Sequence, residues 1–108
     1  MKILVISDIH ANYTALETVL EAAGEVDAVW CLGDLVGYGP DPNECVERVR
    51  NLPRLTCVRG NHDVAVINSK NIDKFNEEAE QSIRFTVNKL TPDNLAFLKK
   101  QREKIVTQ

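Results

Sequence analysis

The sequence predicts an α/β fold, a parallel βαβαβ layer with flanking helices. Three short apolar runs, at residues 3–6, 28–32 and 55–58, are typical of buried strands, and the first, with three β-branched residues in four, is typical of a strand buried on both faces. The segments between these runs carry apolar residues at helical spacing. Strands that alternate with helices pair in parallel, through right-handed crossover connections.

The first predicted helix follows the first strand and has one apolar face. The members of that face recur at i, i+3, i+4 and i+7, and they are Leu16, Val19, Leu20 and Ala23. Thr14 and Glu17 have the spacing of a capping box, whereas Asn12 would cap the helix earlier. Gly24 suits the end of this helix.

The second predicted helix is preceded by a loop rich in residues that interrupt regular structure. Residues 33–42 contain three glycines and two prolines. Asp41 is the expected N-cap, Pro42 takes the first helical position, and Glu44 completes a capping box. Pro53 is expected to end this helix before the third strand.

All 108 residues are interpreted as a single domain, with the βαβαβ part and its motifs in residues 1–63. Residues 64–108 are predicted to be mainly helical. The apolar stripe from Phe75 to Leu90 indicates a long helix, and Thr91-Pro92 indicates the start of a shorter one. Lys104–Thr107 could begin a further strand.

Composition excludes several classes of function. The chain is 44% hydrophobic and 27% charged, with a formal net charge of -3 and no cluster of Lys or Arg. Neither a broad nucleic-acid surface nor a membrane-binding face is therefore indicated, and no apolar stretch approaches the roughly 20 residues that span a bilayer. The three cysteines lack Cys-x-x-Cys spacing and are expected to be reduced core thiols, which fits a cytoplasmic protein.

Each predicted strand is followed by a motif that contains metal-ligand side chains. The motifs are Asp8-Ile9-His10, Gly33-Asp34-Leu35-Val36-Gly37 and Gly60-Asn61-His62-Asp63. The carboxyl ends of parallel strands meet at one edge of a sheet, where ligand and metal sites form. Taken singly, the motifs could be a helix cap, a Gly-Asp turn and an Asn-rich turn. Their occurrence in order behind three strands favours one shared site.

The candidate metal ligands are Asp8, His10, Asp34 and Asn61. Asp8 and His10 are two residues apart, so in an extended segment they would point to the same side and hold one ion. Asp34 lies between glycine-rich turns, and its two carboxylate oxygens could bridge two ions. Asn61 offers a neutral amide oxygen to a hard cation.

The candidate catalytic residues are His62 and Asp63. His62 would donate a proton or a hydrogen bond, and Asp63 would orient its imidazole and raise its basicity. Arg59 precedes this motif and would add a positive contact to a substrate, although a solvated surface arginine is an equal alternative.

Together these motifs resemble those of the calcineurin-like metallophosphoesterases, and the stretch Gly33–Glu44 resembles the small prokaryotic phosphodiesterase branch of that family. The resemblance covers nearly the whole chain. It implies a four-layer αββα sandwich, of which the βαβαβ layer would be the first half. It also implies two divalent metal ions, with Mn²⁺ the first choice and Fe, Zn or Ni admitted by the mixed oxygen and nitrogen ligands.

The activity that the resemblance implies is hydrolysis of a phosphate ester, more specifically a phosphodiester, by a hydroxide that the two ions activate. In that family the residues matching Asp8 and His10 bind one ion, the match to Asp34 bridges both, and the match to Asn61 binds the second. The match to His62 contacts the phosphate and assists the leaving group. Arg59, Asn61 and His62 are therefore expected to contact the substrate.

The chain departs from the family pattern in its histidines. It has two, both within the motifs, where the pattern needs at least three more at later positions. We therefore expect the N-terminal half of the family's domain, with weaker metal binding and one sheet face open to solvent. A homo-oligomer or a missing C-terminal half would cover that face. The alternative function is a non-catalytic scaffold or interaction module of the same fold, against which the retained His62 argues.

Overall fold

The three predicted strands form one parallel sheet whose spatial order follows the sequence. The strands are β1 (Ile3–Ile6), β2 (Ala28–Cys31) and β3 (Leu55–Cys57), with β2 in the middle. The computed structural model describes residues 1–103, without the side chains of residues 69–71. The predicted α/β class with a parallel βαβαβ layer is confirmed.

Two helices connect the strands, and further helices follow the sheet. The connecting helices are α1 (Tyr13–Ala23) and α2 (Pro42–Arg50). After β3 the chain forms α3 (Asn61–Ile67), a 3₁₀ helix (Ser69–Lys74), α4 (Glu77–Lys89) and α5 (Pro92–Lys100). The strand predicted at Lys104–Thr107 lies outside the described residues.

The helix starts differ in detail from those expected. Asn12 caps α1, because its side chain accepts a hydrogen bond from the Ala15 backbone N–H at 3.1 Å. The predicted capping box beginning at Thr14 is therefore wrong, and the alternative prediction of a cap at Asn12 is confirmed. Asp41 does occupy the N-cap position of α2, with Pro42 at the first helical position, but its side chain makes no capping hydrogen bond.

The sheet is covered on one face and open on the other. The covered face and the helices that pack on it bury Val29, Cys31, Leu35, Val36, Cys45, Val46, Val49, Ile83 and Leu98. On the open face Ile3, Val5, Trp30 and Leu32 are between 40% and 53% exposed. Burial of β1 on both faces, expected from its composition, is therefore wrong, whereas the expected open face of the sheet is observed.

The outer side of β3 is partly covered by the chain that leaves α5. Val58 pairs in parallel with Arg102, and the Arg59 backbone N–H donates to the Arg102 carbonyl at 2.9 Å. The three cysteines are free and buried. Within residues 1–103, no helix combines the length and the apolar character that crossing a bilayer requires.

Candidate metal centre

Asp8, His10 and Asp34 converge where β1 and β2 end. Each offers one ligand atom, and these atoms all lie within 4.8 Å of one another. Asp8 Oδ1 is 3.4 Å from His10 Nε2. The predicted convergence of the first two motifs is thus observed in the described part of the chain.

The backbone conformation that brings these residues together is not the extended one that the sequence suggested. Asp8, His10 and Asp34 have φ values of 55°, 48° and 56°, in the left-handed region that non-glycine residues rarely adopt. Backbone hydrogen bonds between the two loops hold this conformation: the His10 N–H donates to the Asp34 carbonyl, and the Ala11 N–H to the Leu35 carbonyl, both at 2.8 Å. Strained residues of this kind persist where surrounding contacts fix them, often at functional sites.

The His10 imidazole is held in one tautomer. Its Nδ1 lies 3.2 Å from the carbonyl oxygen of Val36, so Nδ1 carries the hydrogen and donates it. When the ring is neutral, the lone pair of Nε2 lies on the side of Asp8 and is available to a metal ion. A backbone carbonyl that fixes the second ring nitrogen is the usual support of a metal-binding histidine.

Asn61 begins α3 and places its amide group against Asp34. The amide group lies 3.2 Å and 3.3 Å from the two carboxylate oxygens of Asp34, and its NH₂ donates to both when the nitrogen is turned towards them. The reverse orientation of the amide would present its oxygen to a cation bound at Asp34. Carboxylate, amide and imidazole donors of this kind fit a hard or borderline divalent cation.

His62 borders the same site and is 7% exposed. Its backbone N–H donates to Asp34 Oδ1 at 3.0 Å, and its ring centroid is 4.8 Å from that of His10. Burial lowers the pKa of His62, while the Asp34 carboxylate opposes that change. A neutral ring at pH 7 follows, with one N–H available to donate.

Two aromatic residues pack on the His62 ring, and the sequence did not single them out. The ring centroids of Tyr38 and Phe75 lie 5.0 Å and 5.1 Å from that of His62. Gly37 lies beside the same ring, where a Cβ would come within 2.6 Å of His62 Nδ1. That nitrogen is buried and has no hydrogen-bond partner. The one signal in the sequence for the contact of Tyr38 and Gly37 with His62 is their position in the glycine-rich loop of residues 33–42.

Asp63 is fully buried, and its contacts differ from those predicted. Its carboxylate accepts hydrogen bonds from the backbone N–H groups of Asp34, Leu35, Val36 and Gly60. It therefore binds backbone and not the Nδ1 of the neighbouring imidazole. Burial raises the pKa of Asp63 to about 6, whereas the N–H groups lower it, so the carboxyl group is ionised at neutral pH.

The Arg59 side chain contacts the segment that follows α5. Its guanidinium is 3.9 Å from the Glu103 carboxylate, and its Nε is buried without a hydrogen-bond partner. Contact with a substrate stays a prediction for this residue.

An open groove of about 730 Å³ begins at Asp8 and His10. Val5 of β1 and Leu16 and Val19 of α1 give it an apolar lining, and Tyr38 also lines it. The groove leaves room beside the metal-ligand side chains for the organic part of a ligand.

Comparison with known proteins agrees with this geometry. A model of the calcineurin-like phosphoesterase family matches residues 1–105. The uncharacterized protein MJ0912 of Methanocaldococcus jannaschii is 45% identical over 98 residues, covering 89% of this chain and 40% of the relative. The symmetrical bis(5'-nucleosyl)-tetraphosphatase of Erwinia tasmaniensis is 40% identical over 73 residues, covering 62% of this chain and 26% of the relative.

A solved structure is similar over nearly the whole chain. The metallophosphoesterase from Sphaerobacter thermophilus superimposes with a TM-score of 0.84 at 47% identity, covering 99% of this chain and 44% of that protein. The chain spans less than half the length of these relatives. The match of residues 1–105 to the family model and the shared fold establish that the chain belongs to the calcineurin-like phosphoesterase family.

Proposed function

We propose that the protein is a metal-dependent phosphoesterase that hydrolyses phosphodiesters with two divalent ions, Mn²⁺ being the first choice. The observation that carries the proposal is the convergence of Asp8, His10 and Asp34, whose ligand atoms all lie within 4.8 Å of one another, with the Asn61 amide group beside the Asp34 carboxylate. Asp8 and His10 would hold one ion, and Asn61 the second. Asp34 would contact both.

When bound, such ions supply Lewis acidity that activates water and offsets the charge of a phosphoryl group. The protein's own residues orient the reaction. His10 is fixed by the Val36 carbonyl, which keeps Nε2 directed to the site. His62, neutral and next to His10, would donate its N–H to the departing oxygen. Arg59 would add positive charge towards the substrate.

We infer that the substrates are phosphodiesters or phosphoanhydrides that carry an organic group large enough to occupy the groove. The apolar wall of Val5, Leu16 and Val19 and the ring of Tyr38 support this inference. A relative named as a symmetrical bis(5'-nucleosyl)-tetraphosphatase makes dinucleoside polyphosphates suitable probes.

The test is the Mn²⁺ dependence of hydrolysis of bis(p-nitrophenyl) phosphate and of diadenosine tetraphosphate. Asp34→Asn removes one carboxylate charge from the centre and should abolish turnover. Asp93→Asn, an exposed position in the first turn of α5, is the matched control and should keep it. Turnover that persists without metal, or in Asp34→Asn, would contradict the proposal.

A second candidate function, a non-catalytic interaction module, is favoured by the open sheet face. Ile3, Val5, Trp30 and Leu32 form an exposed apolar patch, and such patches mark interaction surfaces. We propose that a second copy of the chain covers it. Light scattering should show a dimer that Val5→Lys dissociates. A monomer with Mn²⁺-dependent turnover would contradict this alternative.

We also propose the cytoplasm as the location, because free buried thiols fit a reducing compartment. Fractionation of cells that express the protein tests this. Recovery in a membrane or exported fraction would contradict it.

A further inference from the structure

The buried carboxylate of Asp63 joins the loop after β2 to the loop after β3. Its Oδ2 accepts from the backbone N–H groups of Asp34 at 2.8 Å and Gly60 at 3.0 Å. Its Oδ1 accepts from those of Leu35 at 3.0 Å and Val36 at 3.3 Å. The residue has no solvent-exposed surface, so these four donors take the place of water around the charge.

The three successive N–H groups at residues 34–36 converge because the backbone turns sharply there. Asp34 has a φ of 56°, and successive N–H groups next to a left-handed residue form a concave anion site. In this chain the anion is the carboxylate of Asp63, 29 positions along the sequence from Asp34. The contact thus holds Asp34 in a conformation that it would rarely adopt alone.

The two loops approach so closely that only glycine fits at the contact. A Cβ on Gly33 would overlap the backbone nitrogen of Gly60, and a Cβ on Gly60 would overlap Asp34 Oδ1. The Asp34 carboxylate in turn accepts the His62 backbone N–H at 3.0 Å. Loss of the Asp63 carboxylate would therefore displace Asp34 relative to α3, and with it the Asn61 amide.

We propose that Asp63 is a positioning residue for the metal centre, which fixes the Asp34 carboxylate between His10 and Asn61 by binding the backbone of residues 34–36. The inference rests on the proposed function, because it assumes that Asp34 holds a cation. The role differs from orientation of the His62 imidazole, and it predicts a defect in metal binding and not only in proton transfer.

The test is a titration of the 108-residue chain with Mn²⁺, with free Mn²⁺ followed by electron paramagnetic resonance. Asp63→Asn keeps the shape but turns an NH₂ group towards backbone N–H donors. Its Mn²⁺ affinity should fall by about tenfold to a hundredfold, as for other residues that support metal ligands. Asp63→Glu keeps both acceptor oxygens and should recover part of the affinity.

Thr86→Val is the matched control for loss of stability alone. Thr86 is fully buried in α4, where its hydroxyl donates to the Ser82 carbonyl at 2.8 Å. This variant should unfold more readily yet bind Mn²⁺ like the wild type. If Asp63→Asn is unfolded under standard conditions, the titration is repeated with trimethylamine N-oxide, which favours the folded state, and with Asp63→Glu.

Different outcomes test the positioning role of Asp63 and the proposed metal-dependent function. The positioning role would be overturned if folded Asp63→Asn bound Mn²⁺ with wild-type affinity while Asp34→Asn lost it. If Asp63→Asn does not fold, full wild-type affinity in Asp63→Glu would overturn the role in the same way. A wild-type chain that binds no Mn²⁺, or Asp34→Asn that binds as well as the wild type, would overturn the proposed function and this inference with it.

Discussion

The two oxygens of the Asp34 carboxylate lie 3.2 Å and 3.3 Å from the Asn61 amide group, whose NH₂ can donate to both. Asp34 ends the turn after β2, and Asn61 begins α3, so the contact joins two separate loops. The carboxylate is charged and the amide is neutral, and each has an oxygen to offer to a cation. This relationship leads directly to the first prediction.

Asn61→Asp should make the metal-free protein less stable and its stability more sensitive to Mn²⁺. A second carboxylate next to Asp34 adds like-charge repulsion of about 1–3 kcal/mol at neutral pH. A bound cation would relieve that repulsion. Thermal unfolding with and without Mn²⁺ measures both effects. Asn88 is exposed near the end of α4, so Asn88→Asp is the control and its thermal stability should not change with Mn²⁺. An equal change in stability of the two variants would contradict the prediction.

His62→Asn should lower turnover without lowering Mn²⁺ affinity. The imidazole is proposed to act on the departing oxygen, and loss of a general acid reduces rates by about 10²–10⁴-fold. Phe75→Leu is the packing control, since it removes a ring that lies 5.1 Å from His62 but no proton donor. Steady-state hydrolysis and Mn²⁺ titration distinguish the roles. A large loss of Mn²⁺ affinity in His62→Asn would show that His62 is a ligand.

Gly37→Ala should destabilise the fold more than Gly24→Ala. Both glycines have positive φ, 93° and 67°, so each substitution strains the backbone by about 1–2 kcal/mol. At Gly24 a Cβ would meet nothing within 4 Å, whereas at Gly37 it would press on His62 Nδ1. The added overlap should contribute about 1–3 kcal/mol. Urea unfolding of the two variants gives the difference, and equal losses would contradict the described packing.

The stability contributed by Cys45 should decrease at alkaline pH. Burial raises the pKa of Cys45 to about 12, from an unfolded value of about 8.5. The folded state therefore keeps a proton that the unfolded chain loses. The contribution is constant below about pH 8.5 and declines by about 1.4 kcal/mol per pH unit from there towards pH 12.

Comparison with Cys45→Ala isolates this effect from other groups that titrate in the same range. The difference in unfolding free energy between wild type and variant should shrink as pH rises from 8 to 10. A difference that stays constant over this range would contradict the raised pKa.

The sequence alone accounted for the elements that place the candidate site. Three short apolar runs marked the strands, and the rule for parallel strands placed their carboxyl ends at one edge of the sheet. This reasoning led to Asp8, His10 and Asp34, whose ligand atoms the structure brings within 4.8 Å. The capping of α1 was open between two starts because both have suitable side chains, and backbone hydrogen bonding selects Asn12.

The tertiary structure decided what those side chains do to one another. The left-handed backbone at Asp8 and His10, the binding of the Asp63 carboxylate to residues 34–36, and the contact of Gly37 with His62 all depend on loops that meet across separate strands. Strand and helix patterns are local, so residue order is enough to predict them. Loop conformation is set by partners about thirty positions away, as Asp34 and Asp63 are, and only the folded chain brings such partners into contact.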